Sequence, residues 1–260
     1  MKKILGLIFA LSLTLLSGFC ADMRFVQVEG LFLSETNPAS VSMFENLIQN
    51  INNQKKIEFV VFTGNNIQKP KQSDLKLFLK MAKKLKCPYY VVLGNKDVNK
   101  QKDFGKKTYI SLVAKKNRAH KKIESPNYVF EKKGLVFIVV DGSKEVIPSS
   151  IGYYKPDVLS WLDEQLTIYK DRNVVILQHF PIVFPSERES YYTFKADEYL
   201  KLLHNYKNVK AVISGHFGVN KEQEVDGILH ISSSNAPKYR IIDVLDYETA
   251  NPVFWSTIKE

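Results

Sequence analysis

Residues 57–66 read Ile57-Glu58-Phe59-Val60-Val61-Phe62-Thr63-Gly64-Asn65-Asn66. A near-continuous apolar run that breaks into Thr-Gly and two amides predicts a buried strand ending in a polar loop. The pattern recurs on either side of it. Residues 24–29 read as a strand running into Gly30-Leu31-Phe32, and 89–93 as one running into Gly94-Asn95-Lys96-Asp97. Residues 173–178 lead to His179-Phe180-Pro181, and 210–213 to Ser214-Gly215-His216-Phe217-Gly218. Between the early strands, Val41, Phe44, Leu47, Ile48 and Ile51 repeat at helical spacing. So do Leu75, Phe78, Leu79, Ala82 and Leu85, with Ser73 as the expected N-cap. Pro156 opens another helix, with Val158, Leu159, Leu162 and Leu166 inward. Residues 128–131 and 135–140 read as a hairpin across Lys132-Lys133-Gly134, and 228–232 and 239–245 as further strands. This is an α/β pattern whose later half adds strands without helices between them. Residues 99–122 are a long Lys-rich connection without a clear period.

The chain has 260 residues, 45% apolar and 25% charged, which excludes wholesale disorder. Two cysteines exclude a disulfide framework. With 37 Lys and Arg against 27 Asp and Glu, the formal charge is +10. That balance favours an anionic partner, and it is equally what a lysine-rich, solvated surface would give.

Met1-Lys2-Lys3, an uninterrupted apolar or small run over 4–16, and Ser17-Gly18-Phe19-Cys20-Ala21 have the layout of a secretory signal peptide. The run is shorter than the roughly 20 residues that span a bilayer. Cleavage after Cys20 is expected, leaving 21–260 as one domain that is exported to a periplasm or secreted. Retention of Cys20 as a lipid anchor is the second reading. No later segment is long and apolar enough to span a membrane. Cys87 is then a lone thiol, expected to be buried beside Pro88.

In α/β folds, ligands gather at the carboxyl ends of strands, where the Gly-amide-imidazole loops fall. In order and flanking residues, five blocks resemble the calcineurin-like metallophosphoesterase family. They are Val28-Glu29-Gly30-Leu31-Phe32, Phe62-Thr63-Gly64-Asn65-Asn66-Ile67-Gln68, Leu93-Gly94-Asn95-Lys96-Asp97, Leu177-Gln178-His179-Phe180-Pro181 and Ile213-Ser214-Gly215-His216-Phe217-Gly218. The likeness covers roughly 24–257. It implies an α/β fold: a two-sheet β-sandwich flanked by helices, the four-layer αββα arrangement of that family.

The resemblance also implies two metal ions sharing a bridging carboxylate, which activate water for attack on phosphorus. The family's first ion would lie on Gly30, Phe32, Asn65 and Gly218, none of which is a carboxylate or an imidazole. Gln68 replaces a further acid. The second ion would use Asn65, Asn95, His179 and His216, a set that lacks its anionic member and should bind divalent cations weakly. Lys96 stands where the family has a catalytic His, and its charge opposes a cation by ~4 kcal/mol at 4 Å with an effective dielectric of 20. It is expected to pair with Asp97 or with a bound anion. Glu29 adjoins Gly30, but strand side chains alternate, so it is expected to point away from the pocket.

No Gly-x-Ser-x-Gly elbow, Walker loop or Gly-x-Gly-x-x-Gly occurs. His120, His204 and His230 read as structural or solvent-facing, and Asp141 as a loop-forming Asx residue. The leading expectation is a metallophosphoesterase-fold protein that is catalytically inactive and acts by binding a ligand or partner, with no cofactor or at most one weakly bound divalent metal. An anionic or phosphorylated ligand suits Lys96. The alternative is a divergent phosphoesterase with one metal or none, in which Lys96 and Asp97 handle phosphate charge and protons. A third reading takes Lys100, Lys102, Lys106, Lys107, Lys115, Lys116, Arg118, Lys121 and Lys122 as a polyanion-binding surface, against a solvated loop. The aromatic loop 184–194, with Tyr191 and Tyr192, either lines the pocket mouth or caps the core.

Overall fold

The computed structural model describes residues 23–260. The expected signal segment 1–20, with Cys20, lies outside the described residues. The chain alternates strand and helix through its first part: β1 (Met23–Val28), α1 (Pro38–Asn52), β2 (Phe59–Phe62), α2 (Gln72–Ala82), β3 (Tyr89–Val91) and α3 (Lys106–Lys116). A hairpin β4 (Tyr128–Lys132) and β5 (Leu135–Val140) follows, then β6 (Gly152–Tyr153), α4 (Pro156–Ile168), β7 (Val174–Gln178), β8 (Thr193–Phe194), α5 (Ala196–His204) and β9 (Val209–Ser214). Four strands close the chain: β10 (Lys221–Val225), β11 (Ile228–Ser232), β12 (Tyr239–Leu245) and β13 (Val253–Lys259).

One sheet runs β13-β12-β1-β2-β3 and the other β10-β11-β9-β7-β5-β4. β1, β2 and β3 are parallel, as are β5, β7, β9 and β11, so both sheets carry their loops of interest at the same kind of end. Side-chain alternation sorts each strand between two cores. Val26, Val28, Val60 and Phe62 pack with Phe44, Leu47, Phe78, Tyr109 and Val113 of α1–α3. Their neighbours Phe25, Phe59 and Val61 pack against Phe137, Val139, Leu177 and Ile213 of the other sheet. Val136, Ile138, Val140 and Ile176 face Leu162, Leu166, Tyr199 and Leu203 of α4 and α5. The layers are therefore helix, sheet, sheet, helix, as expected. The central layer is rich in aromatic contacts, with Phe25 and Phe59 stacked at 4.8 Å and Phe59 edge-on to Phe137 at 5.0 Å.

Three local expectations change. Ser73 is not the cap of α2: Lys71 holds that position, and the Ser73 hydroxyl donates instead to Glu35 Oε1 at 2.6 Å. The connection 99–122 contains α3, held by Tyr109, Ile110 and Val113, three apolar positions too few to show as a period among the lysines. Cys87 is half-buried and Pro88 is exposed, while burial pushes the thiol up to about 11. Among the described residues no helix is long and apolar enough to cross a membrane.

Candidate functional site

The strand ends converge at one edge of the sandwich, and glycines let them close up. At Gly64, with φ +112°, a Cβ would lie 2.4 Å from the His179 ring; at Gly215 it would lie 1.9 Å from Glu29 Oε2. Asn65 and His216 both adopt the left-handed conformation, at φ 51° and 71°. These loops bring Asn95, His179 and His216 together, with Asn65 packed against Gly94 beside them.

The hydrogen bonds fix the histidine protons. His216 Nε2 lies 2.7 Å from the Ser150 carbonyl, which only accepts, so Nε2 carries a proton. His179 Nδ1 lies 2.7 Å from the Thr63 carbonyl and carries one for the same reason. The remaining nitrogens, His179 Nε2 and His216 Nδ1, face each other at 3.1 Å. Burial, and then the charge on His179, hold His216 down to about 3, so its Nδ1 is a lone pair and His179 Nε2 donates to it. Between the two rings His179 is therefore the proton donor. Burial alone would lower its affinity for a proton, but the Glu29 carboxylate, the Thr63 carbonyl and Asp97 together more than offset that, and its net shift is upward.

Glu29 is the main correction to the sequence reading. It is 1% exposed and points into the site, not away from it. Its Oε1 lies 3.5 Å from His179 Nδ1 and accepts the His216 backbone N–H at 3.1 Å, while Oε2 accepts the Thr63 hydroxyl at 2.8 Å. The alternation rule holds: Glu29 shares a face with Phe25 and Gln27, toward the layer between the sheets. That face is where the loops of the second sheet arrive.

Asp97 also departs from expectation. It is fully buried and does not pair with Lys96; it accepts the backbone N–H groups of Gly94 at 2.8 Å and Ile67 at 3.1 Å and the Asn66 amide at 3.3 Å. Burial raises it to about 7, against the pull of those two N–H groups. It staples the loops. Lys96 is exposed, and among the described residues its ammonium enters no ion pair. It borders a cavity of about 250 Å³ lined by Gln68, Asn95, Asn99, Lys102 and Ser150, with two lysines and no acid. Tyr191 covers His216 at 4.7 Å between ring centres and lines the site, whereas Tyr192 stacks on Phe184 at 4.0 Å. Asp141 forms the expected Asx turn with Ser143 at 2.9 Å and also binds Lys106 at 2.6 Å. His120 and His230 are buried and structural, and His204 is exposed on α5.

Residues 18–220 match the family model described as calcineurin-like phosphoesterase. The chain belongs to that family. A curated relative, a probable glycerophosphodiester phosphodiesterase of Arcobacter nitrofigilis, is 28% identical over 180 residues, 66% of this chain and 60% of the relative's length. Among solved structures, a dimetal phosphatase from Danio rerio has a TM-score of 0.67 at 13% identity, covering 90% of this chain and 99% of that one. GAP50, titled the anchor in the inner membrane complex of Plasmodium, has a TM-score of 0.61 at 15% identity, covering 91% and 84%.

The calcineurin-like fold implies a dinuclear centre, and the residues here do not fit one. Gly30 has φ +55°, and a Cβ on it would lie 2.2 Å from Asn235 Oδ1 and 3.0 Å from the Phe32 ring. Asn235 also lies against Gly218, its Nδ2 3.2 Å from a Cβ there. Asn235 and Phe32 therefore fill the place of the first ion's ligands. Asn65 Oδ1 accepts the Lys96 backbone N–H at 3.0 Å and carries no charge to bridge two ions. Asn95 Oδ1 and His179 Nε2, 3.4 Å apart, do converge with His216 Nδ1, a remnant of the second set without its carboxylate. Sequence gave no signal for Asn235 or Ser150, which reach the site from loops far along the chain.

Proposed function

We propose that this chain acts by binding a ligand or partner and not by dinuclear metal hydrolysis. The observation that carries this is the side chain of Asn235, seated where a carboxylate at position 30 would stand, with Phe32 beside it. Glu29, the nearest acid, lies behind His179 and is satisfied by Thr63 and the His216 N–H. The cationic role of the lost metals has passed to protons and lysines. A phosphorylated or otherwise anionic small ligand suits the acid-free mouth bordered by Lys96 and Lys102. We further propose export through residues 1–20, with cleavage after Cys20 and lipid attachment there as the alternative.

Metal analysis with a phosphodiesterase assay tests the reading. Purified protein loaded with Mn, Fe or Zn and then desalted is expected to retain less than one equivalent and to show no metal-dependent turnover of a nitrophenyl phosphodiester. Two retained equivalents with turnover would overturn it. Gly30→Asp alone is expected to destabilise the fold through its clash with Asn235, and Gly30→Asp combined with Asn235→Ala to recover part of that loss.

A second reading has its own support. Asn95, His179 and His216 retain a convergent arrangement, and the Arcobacter relative is named as a phosphodiesterase. A single ion on these three groups would supply Lewis acidity toward a phosphoryl oxygen, with Lys96 holding phosphate charge. It requires His179 to give up its Nε2 proton.

A further inference from the structure

A large concavity of the described residues lies away from the Asn95–His179–His216 site. It is a groove of about 1770 Å³ among the C-terminal end of α2, α3, the segment from Asn117 to Pro126 and Lys132 at the end of β4. Its lining includes Lys83, Lys86, Lys106, Lys107, Lys115, Lys116, Arg118, Lys121 and Lys132, against only Glu124 and Glu145. That excess of seven cations compares with a formal +10 for the whole chain. Of the nine, only Lys106 pairs with an acid among the described residues, Asp141 at 2.6 Å. Like charges brought into one concavity repel one another, so the arrangement is favourable only with a counter-charge in the groove.

We infer that this groove is a docking surface for nucleic acid, held by its phosphate backbone without regard to base sequence. Four features of the lining select that occupant. Eight of the nine cations are Lys, which meet phosphates as mobile point charges and lack the planar fork that reads a guanine edge. Tyr89 and Tyr90 line the floor but are 4% and 6% exposed, so neither offers a face on which an unpaired base stacks; this favours a duplex. None of the exposed large apolar side chains, such as Ile147, Phe194 and Trp255, borders the groove, so nothing there inserts into a bilayer. Lysine is depleted in the buried centres of protein–protein interfaces, where aromatic residues and Arg dominate, and this lining is the reverse.

The floor is built to stay open. Asn117 Nδ2 donates to the Tyr89 carbonyl at 2.8 Å, and His120 Nε2 accepts the Val91 N–H at 3.2 Å. These side chains satisfy the free edge of β3, which would otherwise recruit another strand. The lysines around it are thereby presented on a closed edge.

The test is binding of a mixed-sequence 20-base-pair DNA duplex, by fluorescence anisotropy across a salt series. The logarithm of affinity is expected to fall against the logarithm of salt with a slope of roughly −4 to −7, as for about five to eight neutralised phosphates. A Lys115→Glu, Lys116→Glu, Arg118→Glu variant is expected to bind at least tenfold more weakly. A Lys83→Glu, Lys86→Glu variant, altered at a different part of the lining, is expected to weaken binding as well. Lys170→Glu with Lys207→Glu, and separately Lys96→Gln, should each stay within twofold of the parent, with thermal midpoints checked for all. A slope shallower than −1, equal loss from the Lys170/Lys207 pair, or tighter binding to phosphatidylglycerol vesicles than to the duplex at the same salt would each overturn the inference. The ligand of the Lys96 mouth does not enter this measurement, so the two readings fail separately.

Discussion

Glu29 shows how one residue reorganises a site. In a dinuclear centre the two imidazoles would offer lone pairs to a cation; here the Glu29 carboxylate keeps His179 protonated, and His179 donates to His216. A proton shared between the imidazoles occupies the space that a metal on the same nitrogens would need. Buried ion pairs are costly to break, because the surviving partner is left charged in a low-dielectric interior. Glu29→Gln is therefore expected to cost ~3 kcal/mol in urea denaturation. The same substitution should lower the midpoint of His179, read from its imidazole NMR signals. Unchanged stability with an unchanged titration would show that Glu29 does not hold the His179 proton. The direction of Glu29 was readable in principle: it shares parity with Phe25 and Gln27, which face the second sheet. The pocket lies on that same face of β1, a placement set by the arrival of the second sheet's loops and not by any pattern within the strand.

At the scale of elements, the edge of β3 is where sequence and structure part most. A three-residue strand at the end of a sheet leaves backbone groups unpaired. Asn117, His120 and Tyr128 supply the missing partners, with the Tyr128 hydroxyl donating to the Val91 carbonyl at 2.8 Å. Asn117→Ala would strand the Tyr89 carbonyl in a buried setting and remove the Asn117 acceptor for Ala119 N–H at 3.0 Å. A loss of about 1–3 kcal/mol is expected by denaturation, with faster hydrogen exchange along β3. A variant as stable as the parent would mean that water replaces the side chain. The helices α1, α2 and α4 were legible because four or five apolar residues repeat on one face. α3 was not, since its buried face is only Tyr109, Ile110 and Val113, and β13 was not, since its outer position leaves Val253 and Trp255 exposed.

For the whole molecule, buried histidines set the response to acid. Burial holds His120 down to about 3, His216 to about 3 and His230 to about 4. The unfolded chain takes up those protons near pH 6.5 and the folded chain does not, so stability falls as pH drops below that value. Asp97, raised to about 7 chiefly by burial, acts in the opposite sense, because the folded state takes its proton first. His179 is shifted upward; its contribution is full below pH 6.5 and fades as pH rises through its folded value. The net expectation is a loss of roughly 3 kcal/mol between pH 7 and pH 5. Urea midpoints across that range check it, and a midpoint that rises on acidification would contradict the assignment of neutral, buried histidines. The sequence by itself determined the strand and helix pattern and the order of the loops, because alternation of two and a period of 3.6 are local properties of the backbone; the layers it carried only through its resemblance to a family. Through that resemblance it also pointed to 30, 32, 65 and 218 as positions without a carboxylate or imidazole. Only the tertiary structure decided that Asn235 fills the vacated space, that Glu29 and Ser150 hold the two imidazoles, and that lysines from 83 to 132 share one groove. Those meetings depend on how the two sheets stack and where distant loops cross their edges, and no local period encodes such distances.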